Sequence, residues 1–338
     1  MKSYWLTLSI GLALAGFDPN TSAHGANDME AYKKTAGPYQ VDIVRYDWLD
    51  TKRDRKVPAK IYYPESGDGP FPVIIFSHGL GGSREGYEYL GRHWTSHGYV
   101  SVHLQHLGGD NAVWEGAPLT EVMQNMRKSA ADIANATNRP LDVKFAIDQV
   151  EKMNENDPAL KKRLDLARIG VAGHSFGAYT VLAIAGETFV TRGGQEVSGA
   201  DPRVKAAIPM SAPLASNRLR PDAAFAKIKI PCLHMTGTKD TSPIGMSDPS
   251  DRRVPFDHIK GSDQFLITFK DGDHMIFSGR GVLPGGGKDD LIQSYIKMSS
   301  IAFWDAYLKG DAKAKTWLTG DGFSAALGSD GAFEKKLR

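Results

Sequence analysis

The sequence predicts an α/β protein with a mostly parallel central sheet, helices on both faces and no large cap. Short continuous apolar runs such as "FPVIIFSHG" and "ARIGVAGHS" suit strands buried on both sides of a sheet. Helical patterns separate them: Val143, Ala146, Val150 and Met153 recur at the helical period. Strands alternating with helices call for parallel pairing, because each crossover lays a helix on a sheet face. No internal repeat, low-complexity block or Pro/Gly/Ser linker divides the chain, so residues 39–338 read as one domain.

In chain order, "QVDIVRYDWLD" alternates apolar and polar residues, and with "KVPAKIYYP" it forms an antiparallel start. The buried strand "FPVIIFSHG" follows, then a helical pattern from Ser83 to His97 and the strand "GYVSVHLQH". A polar stretch from Leu107 to Arg139 holds Trp114 and a helix near Leu119 to Ala130. "RPLDVKFAIDQVEKMN" is helical. "ARIGVAGHS" is a strand, "FGAYTVLAIAG" a helix, and "VKAAIPMSA", "IKIPCLHMTG" and "QFLITF" are strands. "GRGVLPGGGKDD" reads as a loop before a last helix from about Asp289 to Leu308.

Composition excludes several classes. A net charge of +2 with mixed signs gives no electrostatic case for nucleic acid or an anionic membrane. Lys2, the apolar run Leu6 to Gly16 and the small residues Thr21-Ser22-Ala23 form the pattern of an export signal, residues 1–23, cleaved near Ala23. Asp18 ends the apolar run too early for a bilayer span. Residues 24–38 read as a flexible lead-in, and the mature protein is expected to be secreted or periplasmic, without stable membrane insertion. The single cysteine, Cys232, cannot close an intramolecular disulfide and reads as a small buried hydrophobe.

The chemistry centres on Gly173-His174-Ser175-Phe176-Gly177. A strand ends at Gly173 and a helix starts near Phe176, so Ser175 sits on a sharp turn with its hydroxyl projecting beside a helix N-terminus. A serine hydroxyl needs a base. Of ten histidines, His274 follows the strand "QFLITF" at the sheet edge where Ser175 is expected, with His258 the alternative. His174 reads as a packing or hydrogen-bonding residue. Asp240 ends the preceding strand and is the expected acid. Asp248 and Asp251 lie further along that loop, and Asp271 and Asp273 read as turn residues. The amides of Phe176 and, in the Gly-rich loop "SHGLGGSREG", of Leu80 are the expected oxyanion donors. His106 and Trp114 lie at the same edge as candidate pocket-lining residues. The pair His93-x-x-x-His97 lacks the glutamate of a metalloprotease motif. Neither metal nor organic cofactor is expected.

The order Ser…Asp…His after a Gly-rich loop is that of the α/β-hydrolase fold. From about Val57 to Leu308 the chain resembles an α/β-hydrolase. Within that fold it is similar to exported dienelactone-hydrolase-like serine hydrolases and to type II platelet-activating-factor acetylhydrolases. The likeness rests on "FSHGLGGSREGYEYL", "QHLGGDNAVW", "NRPLDVKFAIDQ", "AGHSFGAYT", "DPRVKAAIPMSAP", "GTKDTSPIG" and "FWDAYLKGD". It implies a nucleophile at Ser175, an acid at Asp240, a base at His274 and oxyanion amides at Leu80 and Phe176. True dienelactone hydrolases carry cysteine at the nucleophile position, so dienelactone is not the expected substrate.

The resulting expectation is an exported serine carboxylic-ester hydrolase acting on a small-molecule or polymeric ester. The alternatives are a cutinase-like polyester hydrolase or a lipase, and, more distantly, a serine peptidase or a non-catalytic binding protein. The connection "APLASNRLRPDAAFAKIK" is too short for a large apolar cover. An open, shallow site with a short-chain acyl preference is therefore expected.

Overall fold

The computed structural model describes residue 1 and residues 32–191, 193–213, 220–244, 247–279 and 288–338. Residues 2–23 of the expected export signal, the lead-in up to residue 31 and the Gly-rich loop at 280–287 lie outside the described residues.

Strands β1 (Val41–Asp50) and β2 (Arg55–Pro64) form the antiparallel start. Then come β3 (Phe71–Ser77), helix α1 (Glu88–Ser96), β4 (Val100–Leu104), α2 (Leu119–Ala131), α3 (Ile133–Asn156), β5 (Leu164–His174) and α4 (Phe176–Ala185). A small hairpin, β6 (Thr188–Val190) and β7 (Glu196–Ser198), precedes β8 (Val204–Met210), α5 (Pro221–Phe225) and β9 (Cys232–Lys239). The chain continues through α6 (Val254–His258), β10 (Gln264–Asp273), α7 (Lys288–Trp304), α8 (Ala312–Thr319), α9 (Gly322–Leu327) and β11 (Gly331–Lys336).

Nine strands form one sheet in the order β1-β2-β4-β3-β5-β8-β9-β10-β11. From β4 through β10 all neighbours are parallel, and antiparallel strands close both edges. The apolar run of β3 shows why. Val73 and Ile75 join one core layer with Val143 and Ile147 of α3 and Val181 of α4. Ile74 and Phe76 point the other way, into a second layer with Trp94 of α1 and Trp304 of α7. A strand whose alternate side chains are both buried has no room for the polar face of an open sheet.

Three features depart from the sequence reading. Helix α3 begins at Ile133, not near Arg139, because the Asp132 carboxylate accepts from Ala134 N at 2.8 Å and caps it. Pro140 therefore lies inside the helix. The helix ending near Leu308 is not the last element. Two short helices and β11 follow, β11 pairing with β10 while Phe333 stacks on Phe265 at 5.9 Å. The hairpin β6–β7 was too short to show a period.

Candidate active site

Ser175 occupies the turn between β5 and α4 with φ 55° and ψ −119°. A positive φ is costly for a non-glycine residue. It holds here because the turn is locked: Ser175 N donates to Met210 O at 2.9 Å. The two flanking glycines are required by space. A Cβ on Gly173 would lie 2.6 Å from Gly177 O, and one on Gly177 would overlap the Ser77 carbonyl.

Three strand ends converge on this serine. Asp240 follows β9 and is fully buried, and His274 follows β10. His274 Nε2 lies 2.9 Å from Ser175 Oγ, and its Nδ1 lies 2.8 Å from Asp240 Oδ1. The other carboxylate oxygen accepts from Thr236 Oγ1 at 2.9 Å. The structure thus brings Ser175, His274 and Asp240 into one hydrogen-bonded line. His258 lies elsewhere, half-buried at the end of α6 against Asp222. Asp273 is a turn residue whose side chain accepts from Met275 N and Ile276 N, and Asp271 pairs with Lys239 and Lys288.

Two buried groups at this line went unnoticed in the sequence. Ser211, just past β8, has φ 53° and no exposure; its Oγ donates to Asp240 Oδ1 at 2.8 Å and lies 2.8 Å from His274 Nδ1. Its place after a parallel strand was the only available signal. Arg252 donates to the carbonyls of Ser211, Ala212 and Asp240 at 3.1–3.2 Å. Nothing in the loop's composition marks it. His174 packs beneath the line, its ring 4.7 Å from that of His274 and its Nδ1 2.8 Å from Tyr87 Oη. Burial, with His274 and Arg252 nearby, holds His174 neutral well below the ordinary histidine range.

The amides of Leu80 and Phe176 border the cavity beside Ser175, and neither takes part in a backbone hydrogen bond among the described residues. One side chain touches both segments. Arg139 of α3, 1% exposed, donates through Nη1 to His78 O at 2.6 Å and through Nη2 to Gly109 O at 3.1 Å. Its guanidinium lies 4.3 Å from the centre of the Phe176 ring. Gly109 O also accepts from Gly81 N at 2.9 Å. Burial pushes Arg139 down to about 9, which marks a cation held by geometry against its desolvation cost.

Trp114 lines the cavity and donates from Nε1 to Gly81 O at 2.7 Å. His106 does not line it. It is fully buried under the Gly-rich loop, with Nε2 2.9 Å from Ser77 Oγ and Nδ1 3.0 Å from Asp142 Oδ2. Burial, and then Arg139, hold His106 down to about 4. Against the pull of burial, His106 and Arg55 bring Asp142 to about 2. This second Ser–His–Asp arrangement is sealed from solvent, so it supports the loop and touches no substrate.

The cavity itself corrects the shallow-site expectation. It measures about 950 Å³, and α2, α3, α4 and the β6–β7 hairpin line it together with Pro213 of the β8–β9 connection. No group of three or more metal-binding side chains occurs among the described residues.

The sheet order and the strand-end positions define the class of this protein: it has the α/β-hydrolase fold. Within that class its likeness is to the platelet-activating-factor acetylhydrolases. The family model for platelet-activating factor acetylhydrolase, isoform II, matches residues 49–128. A platelet-activating factor acetylhydrolase from Canis lupus familiaris is 30% identical over 156 residues, 38% of this chain and 35% of that protein. The one from Cavia porcellus is 28% identical over 155 residues, 39% and 36% of the two chains. Cutinase cut1 of Thermobifida fusca is 24% identical over 237 residues, 70% and 60%. The matched segment spans about a third of the length of the two acetylhydrolases.

Proposed function

We propose that the protein is an exported serine carboxylic-ester hydrolase. The observation that carries this reading is the line Ser175–His274–Asp240, at 2.9 and 2.8 Å, beside two uncommitted amides. Asp240 accepts the Nδ1–H of His274, which leaves Nε2 free to take the Ser175 proton. Ser175 Oγ attacks the ester carbonyl, and the amides of Leu80 and Phe176 stabilise the oxyanion. His274 then gives the proton to the leaving alkoxide. Water, activated by the same imidazole, releases the acid from the acyl-enzyme. Each oxyanion donor contributes about 3 kcal/mol to such a transition state.

The likeness to acetylhydrolases and to a cutinase supports ester chemistry. Polyester is the second substrate reading, favoured by the cutinase likeness over 237 residues. Residues 39–338 act as one domain in this account, supported by a single sheet whose strands run from Val41 to Lys336. Among the described residues no helix is long and apolar enough to cross a membrane. Export rests on the pattern in residues 1–23, and N-terminal sequencing of protein from its native host should find a start near His24.

The activity is tested with p-nitrophenyl acetate. Ser175→Ala and His274→Ala should each lose at least a thousandfold in kcat while far-UV circular dichroism is unchanged. His258→Ala should keep wild-type turnover. Equal losses in the two histidine variants would overturn the assignment of the base.

A further inference from the structure

We infer that the cleft between α3 and α4 is an acyl-chain channel, sized for an unbranched chain of about eight to ten carbons. The inference rests on the ester-hydrolase reading and deepens it.

The cleft starts beside Ser175 at Phe176 and follows α4 through Tyr179 to Ala183. Its facing wall is one stripe of α3: Ile133, Ala136, Thr137, Pro140 and Leu141, at helix spacings of three and four. The β6–β7 hairpin closes the far side with Val190 and Val197. Small side chains at Ala136 and Ala183 leave the space open. The lip is apolar and wet: Ile133 is 69% exposed, Val190 56% and Val197 40%. Large apolar side chains gathered around one opening mark a surface that an apolar ligand covers.

The side of the ester is set by chemistry. The leaving alkoxide must meet His274 Nε2 to collect its proton, so the alcohol portion lies against the His274 loop. The walls of the cleft come from α3, α4 and the hairpin, none of which carries His274. The acyl chain is the part left to enter it.

Its length is set by the helices. Ser175 to Ala183 and Ile133 to Leu141 are each eight residue steps apart, or about 12 Å at ~1.5 Å per step. A zigzag chain of ~1.5 Å single bonds advances about 1.3 Å per carbon, so about nine carbons fill that span. Lys144 then ends the stripe with a charge, where a methylene gains nothing. Each buried methylene contributes up to about fourfold in binding.

The test is a series of p-nitrophenyl esters from acetate to palmitate with the full chain. The expected kcat/KM rises at least tenfold from acetate to the octanoate–decanoate range and falls by palmitate. Ala136→Phe, which puts a ring across the stripe, should cut the decanoate-to-acetate ratio at least tenfold, and alkyl acetates of the same lengths should show no such optimum. Ser175-dependent acetate hydrolysis with a profile that falls steadily from acetate would overturn the channel and leave the esterase reading intact. So would a ratio unmoved in a folded Ala136→Phe. If no ester in the series is turned over, the esterase reading itself fails.

Discussion

Glu187 links α4 to the hairpin that walls the cleft, and it offers a test of how this chain tolerates a buried acid. The residue is 1% exposed, and its Oε1 has no hydrogen-bond partner. Burial alone raises its carboxyl from 4.5 to about 8. Below pH 4.5 the folded and unfolded chains both hold this proton. Between pH 4.5 and 8 the unfolded chain has released it while the folded chain keeps it, so stability falls as pH rises and levels off above 8. From pH 5 to pH 8 that loss is about 4 kcal/mol, at ~1.4 kcal/mol per pH unit, before any local relaxation. Glu187→Gln removes the titration and keeps the shape. Urea unfolding followed by tryptophan fluorescence, at pH 5, 6.5 and 8, should show the variant gaining on the wild type by up to that amount. With a urea dependence of about 2–3 kcal/mol per molar, the relative midpoint moves by more than 1 M. Other titrating groups cancel in the comparison. Wild type and variant curves that stay parallel across this range would refute the claim of an uncharged, buried acid.

Three further outcomes are expected. Ser211→Ala removes the hydrogen bond to Asp240 Oδ1, and a hydrogen bond to a carboxylate is worth about 1.5–3 kcal/mol, so kcat should fall about 10- to 100-fold with KM within twofold; a loss below twofold in steady-state kinetics would remove Ser211 from the positioning of His274. Arg139→Met should lower kcat about 10- to 100-fold and weaken a trifluoromethyl ketone inhibitor by a similar factor, with partial recovery in added guanidinium; unchanged inhibitor affinity in a folded variant would show that Arg139 does not align the oxyanion amides. Cys232 is fully buried, which pushes its thiol up to about 12. A disulfide reagent should leave it unmodified in the native protein and titrate one thiol in urea, whereas rapid native modification would contradict its burial.

Much of this architecture was legible because two periods carry it. Strands buried on both faces stand out as unbroken apolar runs, and α3 and α7 as helical stripes. The ends of those strands order the candidate residues, which is why position alone picked out Ser175, Asp240 and His274, the three that the structure brings into one line. What stayed hidden has a common cause. Ser211, Arg252 and Arg139 act through long-range contacts with backbone carbonyls or a carboxylate, and no local pattern signals such a contact. His106 was misplaced for the same reason: its strand end lies at the sheet edge, but Asp142 from α3 draws its ring beneath the Gly-rich loop instead of into the cavity. The extent of the cavity was not foreseen, because the β8–β9 connection is too short for a cover and the polar stretch from Leu107 to Arg139 shows no long apolar face. Its lining also draws on α2, α3, α4 and a hairpin of three-residue strands, the last too short to be read from a period.

The central claim is that Ser175 is the nucleophile of an acyl-transfer site, and site-resolved labelling tests it most directly. A fluorophosphonate probe, incubated with the folded protein and located by peptide mass spectrometry, should give one adduct, on Ser175. Labelling should be lost in Ser175→Ala and slowed at least a hundredfold in His274→Ala. An adduct on another serine, or labelling of Ser175 that proceeds at the wild-type rate without His274, would contradict the account.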